Sequence, residues 1–346
     1  MPAVPSGKVL VSGANGFVAT WVVKNLLDQG YSVRGTVRSQ SKIPHLQKIF
    51  GSYGDKVEFV VVEDITKPGA FDEYVKDVDA IEHTASPFHY NFEDPNDYIH
   101  PAVNGTTSIL ESALKHGKNV KRVVVTSSVA AVFTVGLPEE RTFSEKDWNE
   151  RSIKEVEEKG KQANAGDKYC ASKTLAEKAA WAFVERNKGA IQWDLVTINP
   201  PYVFGPVIHE VPEPSALNTS VDMVYRNVFK GEADKETIAT FSGSWVDARD
   251  VAEAHVQALK KEEAGGNRFV NSAGEFTYQD IINAARKFDS SVPAGNPDFD
   301  PSKFKHAIHF DSKKSKEILG LKYHTLEQTT KDMLDDFVAK GWWKSS

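Results

Sequence analysis

The sequence predicts an α/β chain organised around a doubly wound parallel sheet, with a smaller, mostly helical lobe toward the C-terminus. Three observations predict it. Short apolar runs alternate with helical patterns from residue 8 to residue 198, the arrangement of parallel strands joined by right-handed crossovers. The first run ends in a glycine turn that opens a helix. The last ends at Asn199-Pro200-Pro201, and prolines cannot continue a central ladder, so the chain leaves the sheet there. With 346 residues, the chain is too long for one typical core and suits a large α/β unit with an appended lobe, or two domains.

Residues 1–7 read as a short disordered leader without the charged and apolar regions of a signal peptide. Lys8-Val9-Leu10-Val11-Ser12 is the first strand. In the turn that follows, Gly13 permits the sharp bend, and Gly16 lets the backbone approach a pyrophosphate at the helix N-terminus. Asn15, Phe17 and Val18 complete that loop. Ala19 stands where a third glycine is often found, and the helical pattern of Val18, Val22 and Leu26 stops at Gly30. The run is a dinucleotide-type loop, although it is not the Gly-x-Gly-x-x-Gly pattern itself.

Residues 31–37 form the second strand, with Arg38 just past its end. An acidic residue at this place would suit the ribose hydroxyls of NAD, whereas an arginine accommodates the 2′-phosphate of NADP. Arg38, Ser39 and Lys42 offer two cations and a hydroxyl for a dianion, which favours NADPH/NADP+ as cofactor. The third strand, residues 57–62, brings Asp64 and Ile65 to where an adenine would rest. The fourth, residues 79–85, carries Thr84, Ala85 and Ser86 toward Pro87 and Phe88. A helix over residues 96–116 precedes the fifth strand, residues 121–126, which ends at Ser127-Ser128. Ligands bind at the carboxyl ends of strands in such sheets, and Gly13, Arg38, Asp64, Ala85 and Ser127-Ser128 all fall there.

The charged segment 150–161 reads as a solvated helix face or surface loop. Asp167 then precedes a helical pattern carrying Tyr169-Cys170-Ala171-Ser172-Lys173. Of ten tyrosines, Tyr169 alone has a lysine four positions on, and on a helix the two side chains share one face. A free tyrosine has a pKa of about 10, too high for ready proton exchange near neutrality, and an ammonium one turn away lowers it. By itself the pair is weak, since chance supplies roughly one such spacing in a chain like this.

After the sixth strand, residues 193–198, the pattern changes. Residues 208–220 are rich in proline and short polar residues and read as a surface loop. Helices are expected over 219–229, from about 251 to 259, from the N-cap Thr277 to 288, and over 326–340, with 267–271 returning as an extra strand. Residues 1–200, with 246–272 returning to them, form the NADP-binding unit. Residues 201–245 and 273–346 form the substrate lobe.

The net charge of −6 argues against a general nucleic-acid binder. No apolar run approaches bilayer length, so no membrane partner is expected. One cysteine excludes an intrachain disulfide and suits a reducing compartment, with the cytoplasm the default. His306, His309 and Asp311 are spaced as metal ligands can be, yet no second cluster supports them and no metal is expected.

With these pieces in place the sequence resembles the extended short-chain dehydrogenase/reductases, within them the group of yeast methylglyoxal/aldehyde reductases, fungal carbonyl reductases and plant dihydroflavonol reductase. The matches run from Val11-Ser12-Gly13-Ala14-Asn15-Gly16-Phe17 through His83-Thr84-Ala85-Ser86-Pro87-Phe88, Val125-Thr126-Ser127-Ser128 and Tyr169 to Lys173. They continue to Asn199 to Pro206 and Asp247-Ala248-Arg249-Asp250-Val251-Ala252. The resemblance implies a Rossmann sheet and NADPH-dependent reduction of a small-molecule aldehyde or ketone, by a monomer or homodimer. It implies that Ser128, Tyr169 and Lys173 are catalytic, with the nicotinamide near Ser128, Pro200 and Val203. Phe88, Phe133 and Tyr202, beside the catalytic strand ends, would line an apolar pocket. Sugar-nucleotide epimerases or dehydratases share the fold and the Tyr/Lys pair but hold NAD, against which Arg38 argues. A hydroxysteroid dehydrogenase is a further alternative. A regulator that senses NADP(H) without turnover would lack the tyrosine.

Overall fold

The computed structural model describes residues 3–86, 93–134, 136 and 139–344. Its centre is a sheet of seven parallel strands: β1 (Lys8–Ser12), β2 (Ser32–Val37), β3 (Val57–Val61), β4 (Ala80–His83), β5 (Arg122–Thr126), β6 (Asp194–Asn199) and β7 (Arg268–Val270). They lie in the order β7-β6-β5-β4-β1-β2-β3. The chain therefore builds outward through β2 and β3, crosses back to lay β4 against β1, and builds outward the other way. The order reverses between β1 and β4, and the crevice at the carboxyl ends of these strands is where such sheets take a ligand.

Alternation along the strands divides the apolar side chains between two faces. Val9, Val11, Val124, Val196 and Ile198 join one core, beneath the helices Phe17–Asp28 and Ala248–Lys260. Leu10, Ile81, Val123, Val125 and Leu195 join the other, beneath Asn96–His116 and Ala165–Arg186. With both faces covered, β1, β4, β5 and β6 are buried almost throughout.

A second sheet joins Tyr202–Phe204, Ser242–Asp247 and Gly274–Thr277, and a two-stranded one pairs Arg141–Phe143 with Ile308–Phe310. The strand Ser242–Asp247 runs directly into Ala248–Lys260, whose N-terminus is capped by Asp247 Oδ1 accepting from Arg249 N at 2.8 Å. On the side of the helix, Arg122 is fully buried in β5. It forks onto both carboxylate oxygens of Asp194 (2.6 and 2.8 Å) and donates to the carbonyls of Ala258 and Lys261.

Three expectations need correction. The leader is docked: Val4 is buried, donates to Leu259 O at 2.7 Å and accepts from the Tyr31 hydroxyl at 2.6 Å. Val4, between Ala3 and Pro5, buries its apolar side chain like any core residue once the end of the helix Ala248–Lys260 is near. The helix carrying Tyr169 starts at Ala165, because Asn164 caps it by accepting from Asp167 N at 2.8 Å. Asp167 instead turns back into the first turn, where its carboxylate takes the Ser152 hydroxyl at 2.7 Å. The segment expected as one helix over 219–229 is an α-helix, Thr219–Val224, that widens into a π-turn, Tyr225–Phe229.

Candidate active site at the carboxyl ends of the central strands

The glycine turn at the end of β1 has the shape that a pyrophosphate site needs. Gly13 has φ +66°, and a Cβ there would lie 3.0 Å from that of Ala85, so glycine alone lets the two strand ends meet. Gly16 caps the helix Phe17–Asp28 with no side chain on its first N–H groups, and no acidic residue stands in the first turn. Those donors, with the positive end of the helix dipole, suit an anion. The Ser12 hydroxyl holds the loop across the switch point. Its oxygen accepts from Thr84 N (3.1 Å) and Ala85 N (3.0 Å), and it lies 2.9 Å from His83 Nδ1. With both N–H groups directed at that oxygen, the hydroxyl proton is left to go to His83 Nδ1, which fixes the imidazole tautomer. Burial, aided by the charge on Lys173, holds the His83 pKa down at about 3, so the ring stays neutral.

Arg38 is exposed just beyond β2. Lys42, the other cation predicted for a 2′-phosphate, pairs with Glu210 at 3.0 Å. Asp64 accepts from Thr66 N and Oγ1 at 2.9 and 2.6 Å, contacts that lower its pKa, while Ile65 packs where a side chain on Gly105 would stand. The segment 206–210 lies over this end of the sheet rather than free in solvent. Trp21 Nε1 donates to Pro206 O (2.9 Å), His45 Nε2 bonds Ile208 O (3.0 Å), and the His209 ring lies 5.4 Å from that of Phe17. No sequence signal marked these contacts, because they join residues more than 150 positions apart.

Around the switch point, Ala85, Ser86 and Lys173 line one cavity together with His83, Ala102, Thr126 and Glu177. Lys173 Nζ donates to Ser86 Oγ at 3.0 Å and lies 5.9 Å from the centre of the Tyr169 ring. Desolvation in this recess lowers the lysine pKa to about 8. The turn Val129–Ala131 packs against the helix of Tyr169 and Lys173, which brings Ser128 to the same region.

The two serines differ sharply. Ser127 Oγ donates to Glu177 Oε2 at 2.6 Å inside the protein. Ser128 Oγ accepts from Ala130 N at 3.1 Å, and among the described residues its own hydrogen has only a long contact, 3.4 Å, to Pro200 O. Ser127 is thus committed to the interior, and the Ser128 hydroxyl has a donor to give. Glu177 escaped the sequence reading, although it stands four residues after Lys173 on the same helix face.

Of the aromatic candidates, Phe88 lies outside the described residues. Phe133 meets Phe310 and Phe143 edge-on at 5.9 and 6.5 Å, within a small aromatic cluster. Tyr202 is 36% exposed, stacks on Phe204 and borders Phe276 and Phe241. Val203 is buried in the three-stranded sheet opposite Val246, and Pro200 is buried as well. Cys170 is a packed thiol whose pKa burial pushes up to about 12. His309 pairs with Glu275 and Glu140, and His306 Nδ1 lies 2.6 Å from Ser242 Oγ. Among the described residues no group of three or more His, Cys, Asp or Glu side chains is placed to hold a metal ion. Among them, too, no helix is long and apolar enough to cross a membrane.

Residues 9–273 match the model of the NAD dependent epimerase/dehydratase family. The chain belongs to that family. Within it, the chain is 38% identical over 336 residues to NADPH-dependent methylglyoxal reductase GRE2 of Saccharomyces cerevisiae, covering 94% of this chain and 96% of the relative. It is 39% identical to ketoreductase azaE of Aspergillus niger, covering 96% and 98%. Among solved structures, that of Gre2 from Candida albicans in complex with NADPH superposes with a TM-score of 0.85 at 35% identity, covering 96% of this chain and 98% of that one. This epimerase/dehydratase-family chain therefore shares the fold of a structure that holds NADPH, across nearly its whole length.

Proposed function

We propose that the protein reduces small-molecule aldehydes or ketones to alcohols with NADPH, as a cytoplasmic monomer or homodimer. The observation that carries this reading is the convergence of Lys173, Tyr169 and Ser128, whose hydroxyl has only a long internal acceptor among the described residues, beside a glycine-loop helix with no side-chain cap at the switch point. Residues 1–200 with 246–272 serve the cofactor, and 201–245 with 273–346 serve the substrate. The residues present fit the cofactor. Gly13, Asn15, Gly16, Phe17 and Val18 hold its pyrophosphate, Arg38 and Lys42 the 2′-phosphate, Asp64 and Ile65 the adenosine end. Thr84, Ala85 and Ser86 with Pro200 and Val203 border the nicotinamide end.

When bound, NADPH supplies hydride to the carbonyl carbon. Ser128 donates a hydrogen bond to the carbonyl oxygen, which holds the substrate and steadies the negative charge that develops there. Tyr169 delivers its phenolic proton to that oxygen, so the carbonyl gains one hydride and one proton and becomes the alcohol. Lys173, one turn away, stabilises the tyrosinate left behind and draws a hydroxyl such as that of Ser86 into the same network. Tyr202, with Phe88 and Phe133, shapes an apolar wall for the rest of the substrate.

The direct test is a panel of aldehydes, diketones and aryl ketones, followed by loss of NADPH absorbance. Turnover of several carbonyls with NADPH, and much slower turnover with NADH, is expected. Absence of turnover across the panel, with NADPH bound, would sink the reading.

A further inference from the structure

Asn199 closes β6, is fully buried, and directs its amide between two acceptors. Its Nδ2 donates to Glu177 Oε2 at 2.8 Å and to the main-chain carbonyl of Ser128 at 3.1 Å. Both partners are acceptors only, so they fix which end of the amide carries the hydrogens. Thr197 Oγ1 stands 3.2 Å from Asn199 Oδ1 and 3.0 Å from Glu177 Oε1, on the other side. Glu177 is itself immobilised: Ser127 Oγ, Thr197 Oγ1, Trp181 Nε1 and Arg268 Nε and NH2 all donate to its two oxygens. Arg268 is held in turn by the carbonyls of Glu145 and Asp147 and by the face of Trp148, 3.6 Å from its guanidinium carbon.

The chain of contacts ends on one peptide. β5 and β6 are closed on either side of it by Ser127 N to Ile198 O (2.8 Å) and Val129 N to Pro200 O (3.1 Å). The carbonyl of Ser128 itself accepts from Ala131 N (3.0 Å) within its own turn, and the Asn199 amide adds a second bond that ties it across to β6. A buried carboxylate that gathers this many donors holds the groups around it rigidly.

We propose that Asn199, anchored on Glu177 and Arg268, is the positioning residue that aims the Ser128 hydroxyl at the substrate oxygen. It touches no reacting atom and acts only through Ser128. The inference rests on the role given to Ser128 above.

A double-mutant cycle separates positioning from general stability, because residues that act through one another are not additive. The rates of carbonyl reduction are compared for wild type, Ser128→Ala, Asn199→Ala and the double variant, with NADPH affinity measured by fluorescence titration. Asn199→Ala should lower kcat roughly tenfold or more, part of what loss of the hydroxyl itself costs. NADPH affinity should change much less, and the double variant should be no slower than Ser128→Ala. Should Asn199→Ala fail to fold, Asn199→Ser takes its place; it keeps a polar group beside Glu177 but is too short to reach the Ser128 carbonyl. A double variant whose loss is the product of the two single losses, or an unchanged kcat in the Asn199 variant, would overturn the proposal. Ser128→Ala at the wild-type rate would instead remove Ser128 from the reaction, and the present inference with it.

Discussion

At the residue scale, the proposed chemistry turns on Lys173. Its pKa is lowered from 10.5 to about 8 by desolvation in the recess it shares with Ser86 and His83. A lysine with this pKa is cationic below pH 8 and neutral above it. The cation is the form that stabilises tyrosinate, so kcat/KM for NADPH, which reports the free enzyme, should fall as pH rises through about 8. A profile that stays flat well above that pH would show that the charge on Lys173 is not needed. His83 sits in the same recess but stays neutral, its pKa held at about 3, and contributes no titration in this range. The sequence showed Tyr169 and Lys173 as a pair at helical spacing and no more than that. In the sequence, the choice of Ser128 over Ser127 rests on resemblance alone, since the difference between them lies in Glu177, 50 positions from Ser127 and joined to it only by folding.

At the element scale, strand ends were legible because apolar runs and turn residues bound them. The parallel sheet, the glycine loop, and the helices Asn96–His116 and Leu326–Ala339 follow the patterns that predicted them. The short strands Arg141–Phe143, Tyr202–Phe204 and Ile308–Phe310 carry no pattern long enough to read, and their pairings span long stretches of chain. The loop after Gly205 looked like plain surface. In the fold, Glu210 on this loop takes Lys42, so one of the two cations proposed for the 2′-phosphate has a resident carboxylate. That pair is exposed and contributes little to stability. A phosphate dianion beside Arg38 would compete for Lys42 with more charge and more acceptors. Replacing Arg38 and Lys42 together by alanine should therefore weaken NADPH by roughly ten- to a hundredfold, the worth of one or two charge-assisted bonds. NADH binding should change little. Equal losses for the two cofactors in parallel titrations would refute the phosphate assignment.

Across the whole molecule, topology explains why residues scattered from Gly13 to Lys173 meet. The strand order reverses between β1 and β4, the strands all run one way, and their carboxyl ends therefore share one edge. Ser12 and Asn199 then add side-chain ties at two places where strands end. Ser12 binds the fourth strand's exit to the glycine loop, and Asn199 binds the fifth strand's exit to the sixth. Neither polar contact has a sequence pattern, since each is defined by which strands become neighbours. The small sheet built on Ser242–Asp247 feeds the helix Ala248–Lys260 on the main sheet, so the part proposed to receive substrate is fastened directly to the part proposed to hold cofactor. The central claim is that this shared edge reduces carbonyls by proton delivery from Tyr169. Single-turnover reduction by Tyr169→Phe, with NADPH binding measured alongside, tests it most directly. The account predicts a fall in rate of about a hundredfold or more with cofactor affinity nearly unchanged. A variant that reduces substrate at the wild-type rate would contradict it.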